Sequence, residues 1–99
     1  MTSPDKKVDA VIVEENCGAT MPFVDLIYIV PCGDSIKNHS PIYKSTYTRE
    51  LEVKWAESKR LIISYKNANI HEFKSEWVSD DIDDTKYKVK ITKIKPEGQ

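Results

Sequence analysis

No apolar run in this sequence approaches the roughly 20 residues that a membrane-spanning helix needs. The longest, residues 23–32, is too short and is interrupted by Asp25. The opening Met1-Thr2-Ser3-Pro4-Asp5-Lys6-Lys7 lacks the apolar centre of a secretory signal. Two locations stay open: the cytoplasm, or an exported site for a domain whose leader has been removed. An excess of one charge is also lacking, since the formal net charge is −1. Nucleic-acid binding draws on surplus cations that displace counterions from phosphate, so nucleic acid is not an expected partner. No segment repeats at the period of a solenoid or propeller array. Glycine is scarce, at three residues, and cysteine is limited to Cys17 and Cys32.

What remains is the composition of a small globular domain: 39% apolar and 31% charged residues in a chain of 99. That length suits one domain with one modest core. Apolar residues recur mostly with a period of two, the signature of half-buried strands. Residues 8–15 read as a strand with apolar side chains on both faces, which suggests a central position. Residues 23–30 read as a second strand. Val24, Leu26, Tyr28 and Val30 share one face; Phe23, Ile27 and Ile29 share the other, interrupted by Asp25. Residues 41–45 suggest a short edge strand. Residues 51–65 read as a hairpin turning through Ala56-Glu57-Ser58-Lys59. Residues 66–69 then read as a turn. Residues 70–78 fit a strand followed by an irregular or helical turn, and residues 79–85 an acidic loop. Tyr87, Val89 and Ile91 alternate with Lys86, Lys88 and Lys90 in a last strand, where the lysines suit an exposed edge. Six or seven short strands without a long helix predict an all-β fold, either an antiparallel two-layer sandwich or a small open barrel.

The two cysteines invite a disulfide, which needs Cα atoms within roughly 7 Å. An extended strand over residues 23–30 spans roughly 23 Å. If the first two strands form a hairpin, Cys17 and Cys32 stand at its opposite ends, so two separate thiols are expected. Cys17, Cys32, His39 and His71 are zinc-ligand types, but no two of them have the short spacing of a structural site, and no metal or other cofactor is expected. A Cys17 nucleophile flanked by the amides of Gly18, Ala19 and Thr20 needs a distant histidine as base, and a purely conformational loop explains the same residues. Asp80, Asp81, Asp83 and Asp84 concentrate charge without the spacing or glycine of a calcium loop, which favours a solvated acidic surface. Tyr43, Tyr47 and Trp77 suit a core or its edge. Asp25 reads as a structural carboxylate that pins the loop of residues 16–22.

Ser3-Pro4-Asp5 before an apolar strand resembles the strand opening of TolB-type propeller blades. Taken with Cys17-Gly18-Ala19-Thr20, Leu51-x-Val53-x-Trp55 and Leu61-x-Ile63-x-Tyr65, it is similar to a family of small uncharacterised bacterial proteins. Members commonly follow an export or lipoprotein leader. The resemblance implies a bacterial source and an envelope location, and it supplies no functional residues.

The expected function is non-enzymatic: a binding or structural module whose special surface is Cys17, Gly18, Ala19, Thr20 and Asp25. One alternative is a cytoplasmic inhibitor or toxin-neutralising protein that meets a basic protein partner through Asp80, Asp81, Asp83 and Asp84. Another is a thiol-dependent enzyme using Cys17.

Overall fold

The computed structural model describes residues 1–16, 23–82 and 85–94. Among them are β1 (Val8–Asn16), β2 (Phe23–Pro31), β3 (Tyr43–Arg49), β4 (Glu52–Glu57), β5 (Arg60–Ser64), β6 (Asn67–Phe73), β7 (Glu76–Ile82) and β8 (Thr85–Ile94). They form two four-stranded sheets, ordered β1-β2-β3-β6 and β4-β5-β8-β7. The fold is the expected all-β sandwich, not a barrel. Alternation places Val8 and Ala10 of β1, Ile27 and Ile29 of β2 and Tyr43 of β3 on the inner face of the first sheet. Leu61 and Ile63 of β5 and Val89 and Ile91 of β8 meet them in one buried cluster. Each buried Val, Leu or Ile side chain among them contributes about 1.5–3 kcal/mol by leaving water.

Several local expectations give way to the pairing. β1 is an edge strand rather than a central one. Its first half is covered by the N-terminal segment, through a Thr2–Asp9 bridge and a bond from the Ala10 N–H to the Met1 carbonyl. The stretch expected as a short edge strand begins after Pro41 and runs as β3 between β2 and β6. The β4–β5 turn is tighter than four residues, because Glu57 already pairs with Arg60. Residues 66–69 are not a turn: the chain leaves one sheet at Ser64 and enters the other at Asn67. No helical turn follows β6; Trp77 lies in β7, and the one 3-10 turn described is Ile36–Asn38. The acidic stretch is not a free loop, since Ser79, Asp80, Asp81 and Ile82 belong to β7 and buried Ile82 anchors them. β8 lies between β5 and β7, so Lys86, Lys88 and Lys90 form the solvent face of an internal strand instead of guarding an edge. The β5–β8 pair is parallel, with Leu61 beside Ile91, which makes the second sheet mixed.

One end of the sandwich is tied shut. Asp5 accepts from the Ser3 hydroxyl at 2.6 Å, from the Lys7 N–H at 3.1 Å and from the Tyr87 hydroxyl of β8 at 2.5 Å. The Trp55 indole of β4 donates to the Met1 carbonyl at 3.1 Å. The N-terminal segment thus pairs with the edge of one sheet and accepts two side chains from the other.

Candidate functional site

Toward the opposite end of the β1–β2 ribbon, side chains on the inner face become exposed among the described residues. The ribbon's register pairs Ala10 with Ile29, Ile12 with Ile27 and Glu14 with Asp25, all on the inner face. Ala10 and Ile27 are buried, whereas Ile12 is 46% and Phe23 is 52% exposed. The second sheet therefore stops covering this face between Ile27 and Phe23. Asp25 sits at that boundary, which explains why a carboxylate interrupts the apolar face.

A cavity of about 240 Å³ opens here, lined by Glu14, Phe23, Asp25, Tyr47 and Thr48. β1 and β2 deliver Glu14 and Asp25 directly opposite each other, an arrangement in which like charges repel. Asp25 is only 9% exposed, and its carboxylate makes no hydrogen bond or ion pair among the described residues. Tyr47 arrives by a different device. The pairing of β3 with β6 shifts between Thr46 and Arg49, so β3 carries an extra residue there. Tyr47 takes a left-handed backbone with φ 53°, which is unfavourable for a side chain of this size. The bulge turns its ring outward to 69% exposure, against the expectation that Tyr47 packs a core or covers its edge. A 2.5 Å bond between the Ser45 and Thr48 hydroxyls closes the bulge beneath it. Next to it, the Tyr43 hydroxyl is fully buried without a well-formed hydrogen bond. Burial is the main influence pushing Tyr43's pKa up, and the nearby Ser45 and Thr48 hydroxyls offset it only in part.

The other sequence candidates are dispersed. Cys17, Gly18, Ala19 and Thr20 lie outside the described residues, as do Asp83 and Asp84. The expectation that Asp25 bonds to the amides of residues 17–20 falls outside them too. Asp80 is exposed on β7, in the other sheet from Asp25, and Asp81 belongs to the same strand. Cys32 is a free, exposed thiol at the tied end of the ribbon, one residue past the Val8–Pro31 pair. Desolvation is the main influence raising its pKa, reinforced by the Asp9 carboxylate. His39 is engaged by Asp34 at 3.0 Å, and His71 by the Thr46 hydroxyl at 2.9 Å. No cluster of metal-ligand side chains occurs among the described residues.

Sequence reasoning found Asp25 and missed Glu14, Phe23, Tyr47 and Thr48. Glu14 was within reach: counting outward from the loop after Asn16 pairs it with Asp25. Tyr47 carried no such signal, because no glycine marks the bulge.

A second cavity, about 420 Å³, is lined by Glu50, Leu51, Glu52, Ser64, Tyr65 and Lys66. It is larger, but its charged residues, Glu50, Glu52 and Lys66, are all exposed, and no buried charge lines it.

Fold and cavity together define a two-sheet sandwich, tied at one end and carrying an acidic, aromatic-rimmed recess at the other. The chain matches no family model, and no curated protein or solved structure matches it significantly.

Proposed function

We propose that the protein is a non-enzymatic binding module whose site is the recess at Asp25. The observation that carries this reading is Asp25, a mostly buried residue that lines the cavity and has no hydrogen-bond or ion-pair partner among the described residues. Its carboxylate oxygens stay in contact with solvent through the cavity, and a ligand that displaces that solvent would have to compensate the charge. Strain at the Tyr47 bulge supports the same place, because outliers of this kind concentrate at functional sites. Catalysis has less support. The Cys32 thiol is held up toward its protonated form, both histidines are engaged elsewhere, and the recess contains no nucleophile–base pair among the described residues. A bacterial, envelope-located protein is the setting suggested by the resemblance of Ser3-Pro4-Asp5, Leu51-x-Val53-x-Trp55 and Leu61-x-Ile63-x-Tyr65, and it belongs to this proposal.

Amide NMR of the labelled protein, titrated with a panel of neutral, anionic and cationic fragments, tests the site. Shifts are expected to concentrate at Glu14, Phe23, Asp25, Tyr47 and Thr48. Binding confined to the cavity around Glu50 and Lys66, or no binding by any fragment, would overturn the assignment.

A further inference from the structure

We propose, building on that reading, that the recess receives an organic cation: an ammonium or guanidinium group on a short apolar stem, as in a lysine or arginine side chain. Four observations converge on this chemistry. Asp25 is nine-tenths buried as a residue, unpartnered among the described residues, and lines the cavity, where its oxygens meet solvent. Glu14 stands directly across the strand pair, so two carboxylates face one recess with no described cation between them. Phe23 and Tyr47 line the walls and are largely exposed. Aromatic faces attract cations and also cover an alkyl stem. Finally, the cavity volume of about 240 Å³ is below the range usual for drug-sized ligands and suits one long side chain.

The arrangement separates two jobs. The carboxylates supply charge, which an uncharged ligand cannot use. The rings supply apolar contact, which a bare metal ion cannot use. Calcium also calls for six to eight oxygens, more than two carboxylates and a threonine hydroxyl provide. The Thr48 hydroxyl, already joined to Ser45, fixes the bulge that presents Tyr47.

The test titrates the labelled chain with n-butylammonium, n-butylguanidinium, n-butanol and calcium chloride. A basic tetrapeptide with one central lysine separates a peptide side chain from a free amine as the source of the cation. Small probes of this size bind at about millimolar concentrations. Both cations should shift the amides of Phe23, Asp25 and Tyr47, and n-butanol should bind at least about tenfold more weakly, the discrimination of one charge-assisted contact. Asp25→Asn should abolish the cation's binding while its thermal midpoint stays equal to or above that of the wild type. Should Asp25→Asn not fold, Glu14→Gln and 0.5 M salt replace it, and each should weaken binding several-fold.

Equal binding of n-butanol and n-butylammonium overturns the cation and leaves the recess as a binding site. Tighter binding of calcium at the same amides overturns it in favour of a metal. Cation binding that survives both acidic substitutions overturns it as well. Absence of binding by every probe defeats this inference and the functional reading beneath it together.

Discussion

Asp25 and Tyr43 are diagonal neighbours on the inner face of the first sheet, since Ser45 pairs with Asp25 and Tyr43 with Ile27. Each brings oxygen where apolar side chains would pack more favourably. For Tyr43 the consequence is direct. Its hydroxyl is buried without a good partner, so it contributes a desolvation cost and little bonding. Tyr43→Phe is therefore expected to leave urea stability unchanged or to raise it by up to about 1 kcal/mol. A loss larger than about 1 kcal/mol would show that the hydroxyl is bonded in solution. Asp34 illustrates the opposite case at the surface. The hydrogen bond from His39 is the main influence lowering its pKa, helped by the Ser35 N–H, and both partners remain solvated.

Elements were legible where alternation was clean. β1, the β4–β5 ribbon and β8 appear in the sequence because their buried and more exposed side chains take turns, and β2 because it is a nearly continuous apolar run, buried on both faces at Leu26, Ile27, Ile29 and Val30. β7 was hidden because its second half is acidic, and only Ile82 betrays a buried position. β6 was legible only from Ile70 onward, because Asn67 and Asn69 look like turn residues, yet both pair with β3. Which strands are edges was not legible at all, because that depends on partners far along the chain. For the site, the sequence showed the anomalous Asp25 but not the bulge in β3 that completes the recess. That bulge yields a prediction of its own. A left-handed conformation costs an ordinary residue about 1–2 kcal/mol and glycine almost nothing. Because the Tyr47 ring is mostly in solvent, Tyr47→Gly is expected to raise chemical stability by up to about 1 kcal/mol while weakening cation binding. Denaturation and titration on the same variant check both halves. Lower stability would mean that the ring packs more than its exposure indicates.

Across the whole molecule, the Asp5–Tyr87 bond joins the N-terminal segment to the far sheet, so its ionisation states are coupled to folding. Desolvation is the largest single influence on Asp5 and acts to raise its pKa. Bonds from Ser3, Tyr87 and the Lys7 amide, together with the Lys7 charge, outweigh it and hold the carboxyl below its ordinary 3.8. Its contribution is present above pH 3.8 and is lost as pH falls through the lowered value. Tyr87 is pushed above its ordinary 10.0, first by burial and then by the adjacent Asp5 carboxylate. Its contribution is full below pH 10 and is lost as the pH climbs beyond that. Tyr87→Phe removes the one hydroxyl proton shared between Asp5 and the Ser58 carbonyl, the latter at 3.0 Å. It should cost about 1–3 kcal/mol between pH 4 and 10, toward the lower figure because Asp5 is partly solvated. The gap from wild type should narrow in stronger acid and in stronger base, and a gap independent of pH would remove Asp5 from the account. The parallel union of β5 with β8 has a different bearing, on how the protein is made. During translation the β4–β5 ribbon emerges well before its neighbour and presents a bare row of amides and carbonyls. Until β8 has been made, that row is a template to which another strand can add, so folding of the second sheet waits on the last strand of the chain.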